Sequence, residues 1–217
     1  MRKIAIVTQK GGAGKSTLAM CLAVAAREAG ERVFILDLDP IRSLVGWGER
    51  REGGDIPVMA APARKLRKIM TRLEMLGVTL AIVDTPAGEG DAAEFAMDEA
   101  QFCLVPARPN VFDVCASETT LKKLKSRKRD YAFVLNQCPP QRHGPRVRQG
   151  VEQLAAMGAL LTPLVAARAD YQDAARKGLG VTELNPAGAA ASEMRDLWRA
   201  VRARLEGVAA GHETHAA

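Results

Sequence analysis

The residues with the clearest chemical potential are two lysines set among glycines near the start of the chain. Residues 9–17 read QKGGAGKST, after a short apolar run and before a helical pattern. Glycines between a strand and a helix let consecutive backbone N–H groups turn towards one anion, and the helix N-terminus adds partial positive charge. This context predicts a phosphate-binding loop in which Lys15 reaches the β- and γ-phosphates and the hydroxyl of Ser16 contacts Mg²⁺.

The start of this loop departs from the usual phosphate-loop pattern. Gln9 stands where that pattern has glycine, and Lys10 adds a second cation. The loop resembles that of the deviant Walker A ATPases, the family of ParA, MinD and the nitrogenase iron protein. The resemblance implies an ATP-sandwiched homodimer in which Lys10 reaches the partner's phosphates, where it would stabilise the charge of phosphoryl transfer. It assigns the nucleotide contacts to Lys10, Gly11, Gly12, Ala13, Gly14, Lys15, Ser16 and Thr17.

Three aspartates follow two further apolar runs, at positions 37, 39 and 84. Ligands of an open parallel sheet bind beyond the carboxyl ends of its strands, so all three are expected near the loop. Asp84 resembles the Walker B aspartate, which holds Mg²⁺ through a water. Asp37 and Asp39 match the family's DxDPQ motif, which implies Mg²⁺ coordination and positioning of the attacking water. The alternative is that one of this pair is a cap or a solvated loop acid.

The resemblance therefore implies an Mg²⁺-dependent ATPase, and the Mg²⁺ ligands it implies are Ser16, Asp37 and Asp84. The catalytic residues that it implies are Lys10, Lys15 and Asp39. Ile41 stands where the family motif has glutamine. Because hydrolysis in such enzymes is mostly positioning and charge stabilisation, we expect weak turnover until a partner protein stimulates it.

A buried-strand pattern at 131–136 ends in Asn136. Its amide both donates and accepts hydrogen bonds, so it could pair with the edge of adenine. The family places an asparagine at this strand end for that purpose. The alternative is a turn-forming asparagine that precedes Cys138, Pro139 and Pro140.

The elements that must position these residues alternate between short apolar runs and longer helical patterns. Strands are predicted at 4–8, 33–37, 80–84, 102–106 and 131–136, with a weaker one at 160–165. Helices are predicted at 16–29, 63–76, 92–100, 114–125, 146–157 and 171–177. Continuous apolar runs are typical of parallel strands covered on both sides. The pattern predicts an α/β fold with a mostly parallel twisted sheet flanked by helices on both faces, and the loop makes it a P-loop NTPase of the deviant Walker A type.

Composition limits the remaining classes of protein. The chain has 217 residues, 47% of them hydrophobic and 26% charged, which excludes a mostly disordered chain. Aromatic residues are only 4%, which disfavours a base-stacking nucleic-acid module. The chain carries no signal-peptide or membrane-span pattern, so a cytoplasmic protein is expected. We expect a single ATPase domain at 1–206 and a disordered tail at 207–217.

The net charge of the chain is +6, and two clusters of basic residues stand out in the sequence. The first contains six cations: Lys122, Lys123, Lys125, Arg127, Lys128 and Arg129. The second contains Arg142, Arg146 and Arg148. Each cluster has an ordinary interpretation as solvated helix surface. ParA proteins bind DNA without sequence preference as ATP dimers, and such clusters suit phosphate contacts. The resemblance thus implies nucleoid association, a ParB-type stimulating partner and a role in DNA segregation or cargo positioning.

Two alternative functions remain at this point. Residues 194–205 form an amphipathic, basic pattern that a MinD-like protein would use to bind a membrane surface. The same spacing is typical of a final helix docked on the sheet, which is the interpretation we favour. A ligase of the dethiobiotin synthetase type would share the fold, but Lys10 and the dimer that it implies count against that.

Overall fold

The computed structural model describes residues 1–141 and 144–213, and the side chains through residue 207. A parallel six-stranded sheet with the order β3-β2-β4-β1-β5-β6 forms its centre. The strands are β1 Arg2–Ile6, β2 Val33–Asp37, β3 Val58–Ala60, β4 Leu80–Asp84, β5 Phe102–Ala107 and β6 Asp130–Leu135. The predicted α/β fold with a parallel sheet is confirmed.

Helices cover both faces of this sheet. They are α1 Lys15–Glu28, α2 Ser43–Arg50, α3 Leu66–Met75, α4 Asp91–Glu99, α5 Val111–Ser126, α6 Pro145–Met157, α7 Ala169–Arg176, α8 Val181–Leu184 and α9 Ala189–Glu213. One face is covered by α1, α2, α7, α8 and α9, and the other by α3, α4, α5 and α6. Successive residues of a strand point to opposite faces, so β1 sends Ile4 and Ile6 into the first core and Ala5 into the second.

The register of the strands brings the predicted site residues to one edge. Ile6, the last residue of β1, pairs with Asp84 at the end of β4. Asp84 pairs in turn with Asp37 at the end of β2. Adjacent strands lie about 4.8 Å apart, so both aspartates are close to the loop that leaves β1. The common direction of the strands thus gathers residues that are distant in the chain.

The elements missed by the sequence prediction are short. Strand β3 has three residues, α2 contains Gly46 and Gly48, and α8 has four residues. Their local patterns are weak because glycine lowers helix propensity and three residues show no clear periodicity. The weaker strand predicted at 160–165 is not formed. Within this segment Leu160 makes one isolated parallel bridge, to Phe133 of β6, and Pro163 cannot donate a hydrogen bond.

The final helix α9 is docked on the first face. Its apolar stripe is buried, and the members of the stripe are Met194, Leu197, Trp198, Val201 and Leu205. The docked alternative from the sequence is the one observed. The helix continues through residue 213, so it extends into the predicted tail at 207–217, whose disorder remains a prediction. Among the described residues, none of the helices combines the length and apolar character needed to cross a bilayer.

Replacement of Leu197 by alanine tests this docking. Leu197 is fully buried, so the Leu197→Ala change should lower the free energy of unfolding by about 2–5 kcal/mol. Urea denaturation followed by circular dichroism measures the change. As a control, Arg199→Ala on the exposed side of α9 should stay within about 0.5 kcal/mol of the wild type. Equal effects of the two changes would contradict the docked helix.

Candidate functional site

The predicted phosphate loop connects β1 to α1. Gly14, the residue before the helix, has a left-handed backbone with φ 88°, which favours glycine. The helix begins at Lys15, and no side chain of the capping residue covers its first N–H groups. These groups and the positive end of the helix dipole are therefore available to an anion.

Two side chains that follow β6 brace this loop. The side-chain amide of Asn136 donates to the carbonyl of Ala13 at 2.8 Å, and that of Gln137 donates to the carbonyl of Gly12 at 2.9 Å. A Cβ atom at Gly14 would lie 2.4 Å from Nδ2 of Asn136. Gly14 is thus required both by its backbone angle and by the space that the brace leaves.

Asn136 is buried, and its observed hydrogen bond stabilises the loop rather than forming a turn. Contact with adenine remains a prediction. The residue also lines a cleft of about 280 Å³ beside the loop, together with Thr17 and Leu18. The opposite wall comes from residues 166–168 and from Tyr171 and Gln172. The sequence analysis missed this wall and Gln137, because neither carries a motif.

The two loop lysines have different surroundings. Lys15 is 7% exposed, and burial lowers the pKa of its amine while Asp84 and Asp39 act in the opposite sense. Lys10 is half-buried, and its Nζ lies 6.0 Å from the centre of the Phe112 ring. The amine of Lys15 is therefore influenced by acidic residues of its own chain, whereas that of Lys10 lies near an exposed aromatic ring.

Asp84 is fully buried at the end of β4. Its Oδ2 accepts a hydrogen bond of 2.5 Å from the hydroxyl of Ser16, and its Oδ1 has no hydrogen-bond partner among the described residues. Burial raises the pKa of this carboxyl group to about 7. A hydroxyl and a carboxylate oxygen are hard ligands that suit Mg²⁺, and a cation would offset the cost of the buried charge. Ser16 and Asp84 therefore fit the predicted metal.

Asp37 has a different environment. Its Oδ2 accepts hydrogen bonds from the backbone N–H groups of Leu44 and Val45 at the start of α2, and its Oδ1 accepts one from Asp39. Burial raises the pKa of this carboxyl group, while these hydrogen bonds act in the opposite sense. The geometry favours the capping alternative for Asp37, whose metal role stays a prediction. Within the described parts of the chain, no cluster of three or more His, Cys, Asp or Glu residues could hold a metal ion by itself.

Asp39 lies two residues beyond the end of β2 and is half-buried. Its Oδ1 accepts a hydrogen bond of 2.9 Å from the backbone of Ile41. The side chain of Ile41 is 81% exposed and makes no polar contribution to the site. Asp39 also acts on the amine of Lys15 electrostatically, which places its charge near the phosphate loop.

Comparison with known proteins identifies the family. The model of the CobQ/CobB/MinD/ParA nucleotide binding domain matches residues 4–181, most of the chain. The chain belongs to this family. It is 28% identical to maintenance of carboxysome distribution protein A of Halothiobacillus neapolitanus over 204 residues, which cover 88% of this chain and 91% of the relative.

Solved structures of the CobQ/CobB/MinD/ParA family share the fold. The MinD cell division protein of Aquifex aeolicus superposes with a TM-score of 0.77 at 21% identity, over 95% of this chain and 98% of that chain. An McdA variant from Cyanothece in complex with ATP gives a TM-score of 0.75 at 13% identity, over 95% and 96% of the two chains. The resemblance to the ParA and MinD family is confirmed, and with it the P-loop fold.

Replacement of Lys15 tests the assignment of the loop. Lys15→Ala removes the buried amine from the phosphate site, so the affinity for ATP should fall by at least tenfold, measured by isothermal titration calorimetry with Mg²⁺. Lys68→Ala on the exposed surface of α3 is the matched control and should bind ATP as the wild type does. Unchanged affinity in Lys15→Ala would remove this residue from the site.

Proposed function

We propose that this protein is a Mg²⁺-dependent ATPase that forms an ATP-sandwiched homodimer and, in that state, binds DNA without sequence preference. The cycle of binding and hydrolysis would position a cargo, either a plasmid or chromosomal segment or a larger body. The relative from Halothiobacillus neapolitanus, which maintains carboxysome distribution, supports the broader form of this proposal, in which the cargo is a body other than DNA. A ParB-type partner would stimulate hydrolysis.

The observation that carries this proposal is the position of Lys10. The phosphate loop already has a buried lysine, Lys15, whose pKa is lowered by burial and raised by the charges of Asp84 and Asp39. Lys10 is only half-buried, and its amine lies 6.0 Å from the centre of the Phe112 ring, which is 76% exposed. An amine held at the surface near a phosphate site is placed to contact the nucleotide of a second subunit.

Exposed apolar side chains near the loop support a second subunit on this face. Ile41 follows β2, and Val111 and Phe112 begin the helix that follows β5, so all three lie beyond the carboxyl edge of the sheet. A cleft of about 350 Å³ adjoins Val111 and Phe112. Exposed large apolar groups often mark an association surface. We propose that the partner covers them when ATP is bound.

The proposed roles of the chain's own residues follow from the site. Lys15 and the N–H groups at the start of α1 hold the phosphates, and Lys10 of the partner subunit adds a cation. Asp39, whose carboxylate lies near Lys15, orients the attacking water. Ser16 and Asp84 would hold Mg²⁺, which supplies neutralisation of phosphate charge. The exposed Ile41 contributes no polar group to this step, consistent with weak basal hydrolysis.

The DNA surface is proposed from both basic clusters. In the first, Lys122, Lys125 and Lys128 are exposed. In the second, Arg146 and Arg148 are exposed at the start of α6, while Arg142 lies outside the described residues. Solvated cations on a surface attract phosphates without regard to sequence. The buried apolar stripe of α9 supports DNA over a membrane as the surface that is bound.

Binding of a DNA duplex of arbitrary sequence tests the proposal as a whole. With Mg²⁺ and a non-hydrolysable ATP analogue, we expect binding that weakens steeply with salt, measured by fluorescence anisotropy. With ADP, binding should be at least tenfold weaker. Vesicles that contain anionic lipids serve as the comparison surface. Binding to vesicles but not to DNA at low salt would favour the MinD-like alternative and contradict the proposal.

Lys10→Ala separates nucleotide binding from dimer formation. The variant should bind ATP within about threefold of the wild type, because Lys15 and the loop are intact, but it should stay monomeric with the ATP analogue. Light scattering coupled to size exclusion measures the mass, with Lys68→Ala as the matched control. If Lys10→Ala forms dimers as readily as the control, the amine has no role across the interface.

Asp39→Ala tests the positioning of water. We expect ATP hydrolysis to fall by at least tenfold while ATP binding is retained, so the dimer should accumulate with ATP itself. Phosphate release and light scattering on the same sample give the two measurements. Rapid turnover in this variant would remove Asp39 from the site.

A further inference from the structure

We propose that Glu94 masks part of the basic surface of α5, and that the loop before α4 removes this mask when the phosphate loop binds ATP. The inference rests on the proposed function, because it explains how DNA binding could depend on the nucleotide. It names the α4–α5 face as a surface for a polyanion and Glu94 as the residue that controls it.

Glu94 binds two cations of the first cluster at once. Its Oε1 lies 2.8 Å from Nζ of Lys123, and its Oε2 lies 2.6 Å from Nη2 of Arg127. Asp98, one turn further along α4, lies 3.3 Å from Nε of Arg127. Two carboxylates of α4 therefore neutralise two of the six cations in the cluster.

The masked cations are less exposed than three other lysines of the cluster. Lys122, Lys125 and Lys128 are exposed, whereas Lys123 and Arg127 are half-buried against α4. The side chains of the ion pairs that Glu94 makes are between 25% and 35% exposed. Ion pairs with this degree of exposure are individually weak, so a small displacement of α4 is enough to separate Glu94 from both cations.

Contacts between loops connect this mask to the phosphate loop. Glu94 lies in the first turn of α4, directly after the loop at 85–90. The backbone N–H of Gly88 in that loop donates to the carbonyl of Gln9 at 2.8 Å, and the side chain of Gln9 donates to Glu89 at 3.4 Å. Gln9 is the residue directly before Lys10, so a change in the phosphate loop is transmitted to the loop at 85–90.

The mask and the phosphate loop are also close in space. Lys123 and Thr120 of α5 line one small cavity together with Thr8, Gln9 and Gly88. A γ-phosphate at the loop would rearrange Gln9 and the contacts that it makes with Gly88 and Glu89. Movement of the first turn of α4 would then separate Glu94 from Lys123 and Arg127. The surface would gain the free cation of Lys123 in the ATP state, and Arg127 would keep only its ion pair with Asp98.

Glu94→Gln tests the mask, since it removes the charge and keeps the shape of the side chain. With ADP, the variant should bind an arbitrary DNA duplex at least fivefold more tightly than the wild type. Lys123 is released, whereas Arg127 keeps its ion pair with Asp98, so the slope of log affinity against log salt should steepen by about 1. With the ATP analogue, the variant and the wild type should bind alike, because the mask is already open.

Glu118→Gln is the matched control. Glu118 is exposed on α5 itself, so its replacement makes the same change in net charge close to the same cluster without altering the mask. The control should change the affinity with ADP by less than twofold. Equal gains in DNA affinity in the two variants would mean that the change in net charge alone is responsible. An unchanged DNA affinity of Glu94→Gln with ADP would overturn the mask.

Chemical labelling provides a readout that does not depend on DNA. An amine-reactive reagent followed by mass spectrometry should label Lys123 faster with the ATP analogue than with ADP, while Lys122 is labelled at the same rate in both states. Faster labelling of Lys123 without any DNA binding would support the mask and reject the DNA function. Unchanged labelling of Lys123 would reject the mask even where ATP-dependent DNA binding is found.

Discussion

The site depends on the burial of opposite charges at the junction of β1, α1 and β4. The amine of Lys15 and the carboxyl group of Asp84 are both largely removed from water, which is costly for each charge alone. Attraction between them, and the hydrogen bond from Ser16, lowers this cost. One oxygen of Asp84 is nevertheless left without a hydrogen-bond partner among the described residues. A cation at this oxygen would offset the buried negative charge of Asp84, and a phosphate would offset the positive charge of Lys15.

The rest of the fold holds this junction in shape. The side chains of Asn136 and Gln137, which follow β6, donate hydrogen bonds to two carbonyl groups of the loop and hold it from outside. On the other side, the carboxylate of Asp37 at the end of β2 accepts hydrogen bonds from the backbone N–H groups of Leu44 and Val45 at the start of α2. Parallel strands make both supports available at the same edge. The supports of the loop and its neighbours therefore come from elements across most of the width of the sheet.

Two surfaces lie next to this edge, and each has features of a surface that binds a partner. One is apolar and includes Phe112, beside Lys10. The other is basic and is partly neutralised by Glu94. The loop at 85–90, which precedes α4, is hydrogen-bonded to Gln9 at the start of the phosphate loop. In our proposals, the same phosphate thereby favours association of two subunits and exposes positive charge, which links oligomeric state to DNA affinity.

The local sequence pattern was sufficient to predict the phosphate loop, five of the strands and the edge of the sheet at which the aspartates lie. The loop and the strands depend on neighbouring residues in the chain, and the common edge follows from the direction of parallel strands. The family resemblance followed from the loop alone. The partners of side chains depended instead on packing between distant segments. Only the tertiary structure shows that Asp37 holds α2, that Asn136 braces Ala13 and that Gln137 belongs to the site. The amphipathic spacing of α9 favoured docking on the sheet without proving it, because an apolar stripe suits either a sheet or a membrane until the surface that covers it is known.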